Sequence, residues 1–259
     1  MKKFLAAILL TLAIASSAFA ANKTITVGVT PFPHKDIMVV VKDLLAKEGY
    51  NLDIKEFTDY VTPNTALAEK SLNANFFQHV PYLENTCKEK GFKLTWVAKV
   101  HIEPIGLYSQ KIKKLTDLKK GAQVAIPNDA TNCARALRLL EKNGIIKVKA
   151  GELVTAKDIT ANPKNIKIRE LDAAQLPRTL QDVDAAVINT NFAVEAKLIP
   201  AKDAIVIEGK DSPYANVIAV RTEDKNKPEI KALVKAVNSR EVKAYINKVL
   251  VPKGIVAAF

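Results

Sequence analysis

Side chains able to hold a small polar molecule gather in three stretches of this chain. The first, Asn75-Phe76-Phe77-Gln78-His79-Val80-Pro81-Tyr82-Leu83, sets four rings at a strand-to-helix junction, two of them with polar tips. Along a strand Phe77 and His79 point the same way, and Tyr82 opens the helix that follows. Such rings either fill a core or line an apolar slot with a few polar handles, the form small-molecule pockets take. The second, Asn128-Asp129-Ala130-Thr131-Asn132-Cys133-Ala134-Arg135, turns the chain into a helix and puts Arg135 near its positive end. An anion would relieve that conflict, held by backbone N–H groups and the guanidinium fork. A guanidinium reaching solvent or an internal acid would relieve it as well. The third is a pair of turns, Ile188-Asn189-Thr190-Asn191-Phe192 and Asp211-Ser212-Pro213-Tyr214-Ala215-Asn216-Val217. Asn189 suits the N-cap of the helix behind it, whereas Asn216, between Ala215 and Val217, suits a cap less well.

Other chemistry lacks its signature. The nine glycines form no phosphate loop or dinucleotide fingerprint, and no Gly-x-Ser-x-Gly elbow occurs. His34, His79 and His101 lack the spacing of metal ligands, and His101-Ile102-Glu103 has no Cys-x-x-Cys to complete a deaminase zinc motif. No catalytic residue, metal ligand or cofactor is assigned.

Elements of alternating period must position these stretches, the pattern of an α/β protein. A strand is expected over Thr24–Thr30, a helix carrying Ile37, Met38, Val41 and Leu45 to Gly49, and a strand over Leu52–Phe57. Thr62-Pro63 reads as an N-cap followed by proline, and Pro81–Gly91 as a second proline-led helix. A strand pair through Val100 and Ile105–Tyr108 is expected next, then a strand Val124–Ile126 and a helix Thr131–Asn143. Strands over Ile166–Ile168, Ala185–Ile188, Ala204–Ile207 and Asn216–Val220 precede two terminal helical segments.

The chain is 259 residues long, 48% hydrophobic and 25% charged, which excludes disorder as its main state. Its formal charge of +12 would suit nucleic acid or an anionic surface, yet the basic residues are spread over helix faces rather than gathered in blocks. Lys2-Lys3, the apolar run Phe4–Ala15 and Ala18-Phe19-Ala20 form the three regions of a cleavable signal peptide over residues 1–20. Removal of Lys2 and Lys3 takes +12 to +10. With no cysteine before Cys87, a lipid-modified cysteine is not expected, and the mature protein is expected free in the periplasm rather than as a lipoprotein.

Read in order, Asn75–Leu83, His101-Ile102-Glu103-Pro104-Ile105-Gly106-Leu107-Tyr108-Ser109, Pro127–Leu137, Ile188–Asn191 and Ser212–Val217 closely resemble the NlpA/MetQ family of methionine-binding receptors of ABC importers. The resemblance runs from about Thr24 to the C-terminus. It implies an α/β, two-lobed periplasmic-binding-protein fold of type II, with the ligand closed between lobes. One lobe would comprise residues 21–109 and 214–259, the other residues 110–213. It further implies an aromatic wall of Tyr60, Phe77, His79 and Tyr82 around a thioether, Arg135 on the α-carboxylate, and Asn191 and Asn216 on the head group. The implied partners are L-methionine or a close relative and an ABC permease with its ATPase; a monomer without nucleic acid is expected, and the missing early cysteine, a departure from a family of mostly lipoproteins, leaves no lipid anchor expected. The same fold binding another amino acid or a dipeptide, or working as a dehydratase-like enzyme, is the alternative. Cys87 and Cys133 would lie in different lobes, so both are expected as free thiols.

Overall fold

The computed structural model describes residues 23–209 and 212–259; the expected signal peptide lies outside them. The chain opens with β1 (Lys23–Val29), a wide turn at Pro31–Lys35, α1 (Asp36–Lys47) and β2 (Tyr50–Glu56). Alternation in β1 sends Ile25, Val27 and Val29 into the core, where α1 meets them with Ile37, Met38, Val41 and Leu45. Each such side chain contributes roughly 1.5–3 kcal/mol on full burial. Next come α2 (Thr62–Ala68), β3 (Ala74–His79) and α3 (Val80–Lys90), which Gly91 ends at φ 69°. Asp59, rather than Thr62, supplies the cap of α2, accepting the Val61 and Thr62 N–H groups at 2.7 and 2.8 Å.

β4 (Leu94–Ile102) and β5 (Gly106–Tyr108) follow, then β6 (Gln123–Pro127), α4 (Ala130–Lys142) and a small hairpin of β7 (Lys147–Val148) and β8 (Ile159–Ala161). The chain continues through β9 (Lys167–Leu171), β10 (Ala185–Ile188), α5 (Thr190–Glu195), α6 (Pro200–Asp203) and β11 (Val206–Ile207). It closes with β12 (Ala215–Arg221), α7 (Pro228–Val237), α8 (Arg240–Tyr245) and β13 (Val256–Ala257).

Two larger sheets result, ordered β13-β4-β12-β3-β1-β2 and β11-β5-β10-β6-β9. Each is covered on both faces. In the second sheet Ala185 and Val187 face the side packed by α4, while Ala186 and Ile188 face Leu176, Leu180 and Phe192. The expected pairing of β4 with β5 does not occur: β4 pairs with β12 and β13, and β5 with β10 and β11. Sheet membership is decided by partners distant in sequence, which adjacency along the chain does not reveal. The chain therefore first crosses between sheets at residues 103–105, ahead of the boundary expected after Ser109, and returns between β11 and β12. The two crossings touch, with Glu208 N–H donating to Ile105 O at 2.9 Å. Among the described residues no helix is long and apolar enough to cross a membrane.

Candidate ligand-binding site

In open α/β sheets ligands settle beyond the carboxyl ends of the parallel strands. Here β3 ends at His79, β6 leads into α4 with Asn132, and β10 leads to Asn189, all facing one cavity between the sheets. The cavity is lined by all seven residues expected in the site: Tyr60, Phe77, His79, Tyr82, Arg135, Asn191 and Asn216. Gln78, Glu103, Asn132, Asn189 and Thr190 complete the lining.

The aromatic side is a cage. Tyr60, on the loop before α2, packs against Phe192 at 4.9 Å, Phe77 at 5.9 Å and Tyr82 at 6.0 Å between ring centroids. Tyr82 donates its hydroxyl to Tyr60 O at 2.8 Å, which fixes the loop to α3. Burial above all, then the Glu103 charge, pushes the Tyr60 hydroxyl well above its usual range, so it stays a donor.

His79 joins strand to helix. Its Nδ1 accepts the Tyr82 N–H at 3.1 Å, capping α3, which leaves the proton on Nε2 to donate to Asn132 Oδ1 at 3.1 Å. Burial first, then the nearby Arg135 cation, lowers its pKa to about 3, so the ring is neutral. Asn132 Oδ1 also accepts from Asn189 Nδ2 at 3.0 Å, while its own amide donates to both carboxylate oxygens of Asp129. A chain of polar contacts thus runs from the first sheet into the second.

Arg135 lies in the second turn of α4, and the first turn is already capped by Asp129, which accepts the Asn132 N–H at 2.9 Å. No open helix end awaits an anion there. The anion is Glu208 instead: Arg135 Nε donates to its oxygens at 3.0 and 3.2 Å, and Nη2 to Oε2. Nη2 also donates to Glu103 O at 2.7 Å, and the guanidinium stacks 4.1 Å from the Tyr214 ring centroid. The internal acid left open by the sequence is therefore present. Nη1 has no hydrogen-bond partner among the described residues.

Asn216 sits on β12 between His79 on β3 and His101 on β4, in register with both. Its Oδ1 lies 3.2 Å from His34 Nε2, and His34 Nδ1 lies 2.7 Å from Thr30 Oγ1. His101 Nε2 lies 2.7 Å from Glu103 Oε1, and His34 Nε2 3.4 Å. Sequence spacing hid this cluster, whose donor atoms all lie within 4.8 Å of one another, close enough to hold a metal ion. Their hydrogen bonds to one another and to Asn216 already occupy those atoms. Burial lowers His34 to about 4 and His101 to about 3 and raises Glu103.

Two amide atoms in the lining are buried without a partner among the described residues, Asn189 Oδ1 and Asn191 Nδ2. Asn191 Oδ1 accepts the Tyr60 hydroxyl at 2.5 Å. Asn189 occupies the N-cap position of α5 but makes no side-chain cap bond, against the expectation from sequence. Glu103, Glu208, Asn132, Asn189 and Phe192 were not assigned to the site from sequence. Tyr214 lay inside a recognised stretch without a role.

The NlpA lipoprotein family profile matches residues 25–259. The chain belongs to the NlpA lipoprotein family. Among its relatives, the D-methionine-binding lipoprotein MetQ of Salmonella typhimurium is 48% identical over 231 residues, 87% of this chain and 85% of the relative. A nutrient-binding protein from Burkholderia cenocepacia, solved bound to methionine, superposes with a TM-score of 0.88 at 51% identity, over 91% of this chain and 100% of that one. A periplasmic substrate-binding protein of an ABC transporter from Coxiella burnetii gives 0.86 at 48% identity, over 90% and 100%. The fold is accordingly the two-lobed periplasmic-binding-protein fold of type II, with its cleft between the lobes. The family also corrects the expectation of a freely diffusing periplasmic protein that is not a lipoprotein, because the family and its Salmonella member are lipoproteins by name. That expectation rested on the Ala18-Phe19-Ala20 cleavage pattern and the absence of a cysteine before Cys87.

Proposed function

We propose that this chain is the solute receptor of an ABC importer, capturing methionine between its lobes and passing it to the permease and ATPase. One observation carries the reading. A cage of Tyr60, Phe77 and Tyr82, with Phe192 packed behind Tyr60, adjoins a polar wall of Arg135, Asn189, Asn191 and Asn216 in a single cavity. A thioether chain suits the cage, since sulfur against aromatic edges is favourable by about 0.3–1.5 kcal/mol. The α-carboxylate is assigned to Arg135 and the unpartnered Asn191 Nδ2, with Asn216 on the same head group. Binding at Arg135 then draws the guanidinium fork away from Glu208 in part.

The lobes in this reading are residues 23–102 with 215–259, and residues 106–207. They pivot at the two crossings and close around the ligand as a hinge. Binding is preferred to catalysis because His79, the obvious candidate for proton transfer, has both ring nitrogens engaged and a lowered pKa. The receptor is taken to act as a monomer.

Native mass spectrometry of freshly purified protein, then calorimetry after unfolding and refolding, tests the reading. Retained methionine, or micromolar or tighter binding of L- or D-methionine, supports it. A different retained amino acid or dipeptide, or no heat with either enantiomer, rejects it.

A further inference from the structure

A histidine buried for structure ordinarily uses both ring nitrogens, as His79 does between the Tyr82 N–H and Asn132. His101 does not. Its Nδ1 is buried without a partner among the described residues, and only Nε2 is engaged, 2.7 Å from Glu103 Oε1. His34 brings its own Nε2 to 3.4 Å from the same carboxylate oxygen, and that nitrogen is shared with Asn216 Oδ1 at 3.2 Å. One N–H is thus spread over two long contacts. The three donor atoms come from separate segments, the Pro31–Lys35 turn, β4 and the first crossing between sheets, and all lie within 4.8 Å of one another.

The cluster sits behind the cavity wall. His34 is 1% exposed and His101 0%, and both rings pack edge-on against Phe76, at 4.6 and 5.3 Å between centroids. Glu103 alone of the three lines the cavity, which gives an ion a way in. No lysine or arginine side chain pairs with its carboxylate among the described residues: Arg135 meets the Glu103 backbone oxygen and pairs with Glu208. A buried carboxylate facing two imidazoles is a donor set for a borderline divalent metal, with too few oxygens for calcium. Zinc, at about 2.0–2.2 Å from each ligand, holds tetrahedral ligands roughly 3.4 Å apart. His34 Nε2 and Glu103 Oε1 are already 3.4 Å apart, and His101, at 2.7 Å, has only to draw back.

We propose that His34 Nε2, His101 Nε2 and the Glu103 carboxylate form a binding site for one divalent ion of the zinc class, with Asn216 Oδ1 or a water from the cavity in the fourth position. The ion takes the place of the imidazole protons that face Glu103. Each ring stays neutral and carries its proton on Nδ1 instead. On His34 that proton is met by Thr30 Oγ1 at 2.7 Å, an outer contact of the kind that orients metal-bound histidines. Occupancy fastens the Pro31–Lys35 turn to β4 and to the first crossing between lobes. The inference does not depend on which molecule the cleft captures.

The test refolds tag-free protein in chelator-treated buffer and titrates it with zinc, and with cobalt as a spectroscopic substitute. Wild-type protein should bind one equivalent of zinc, gain about 5 °C or more in Tm at saturating zinc, and give the visible d–d absorption of four-coordinate cobalt. His101→Gln should lose both the Tm gain and the cobalt absorption. Thr30→Val, which leaves every ligand in place, should bind zinc about 10–100-fold more weakly. Melts in metal-free buffer report whether each variant folds, and Thr30→Val, which keeps the branched shape of the side chain, decides the matter if His101→Gln does not fold. No zinc bound by wild-type protein, or zinc affinity unchanged in either folded variant, would overturn the inference. Methionine binding in metal-free buffer is read separately and tests the proposed function alone.

Discussion

The Tyr60 hydroxyl donates to Asn191 Oδ1 at 2.5 Å, tying the loop before α2 to the start of α5 across the cleft. The Tyr60 ring packs on Phe192 beside that bond, so one side chain both walls the cage and latches it. Tyr60→Phe keeps the ring and removes the latch. A neutral hydrogen bond nets about 0.5–1.5 kcal/mol, so methionine affinity should fall by about 3–10-fold in calorimetry. Affinity equal to wild type would show that the bond does not assist closure.

Arg135 and Glu208 give a prediction of opposite signs. Arg135→Ala removes the cation from a buried pair and should lower methionine affinity by at least about 100-fold while also lowering Tm. Glu208→Gln removes a charge that competes for the same fork, and affinity should rise by about 3-fold or more. A weaker complex in Glu208→Gln would mean that Glu208 serves to aim the guanidinium.

Stability should fall as pH drops below neutrality. His34, His79 and His101 hold pKa values of about 4, 3 and 3 in the folded protein, against about 6.5 for an unperturbed imidazole. Unfolded chains take up those protons below pH 6.5 and the native state does not, so each histidine costs on the order of 1 kcal/mol per pH unit. The raised Glu103 opposes this in part. Thermal melts from pH 7.5 to 5 should show a declining Tm, shallower in His79→Gln if that variant folds. A flat profile would contradict the burial of the three rings.

Cys87 and Cys133 are unbridged. Burial above all, then the Glu170 charge, pushes the Cys133 thiol up to about 12, and burial raises Cys87 as well. A thiol reagent should find two groups in denatured protein. In native protein Cys87 should react slowly and Cys133 hardly at all. Absence of free thiol after denaturation without reductant would refute this.

Much of the site was legible because its residues sit where local rules change. The Phe77–Tyr82 stretch marks the end of a buried strand and the start of a proline-led helix, and the structure places both there. Tyr60 came from family resemblance alone, since its loop has no pattern of its own. Glu208 follows a two-residue strand, and nothing near it in sequence points to Arg135, 73 positions earlier. Asn189 was assigned to a cap by a sound local rule, which fails because Asn132, from a distant helix, holds the Asn189 amide instead. Pairing β4 with β5 failed for the same reason: three residues separate them, but their partners come from elsewhere in the chain.

Arg135 bonds to Glu103 and Glu208, one at each crossing by which the chain passes between lobes. This makes the guanidinium a rivet through the fulcrum rather than a clasp at the jaws. A negative group arriving in the cleft competes for it where a small displacement has the longest lever arm. Occupancy and closure would then be read at one point, and a receptor stripped of its cargo would loosen first at its axle.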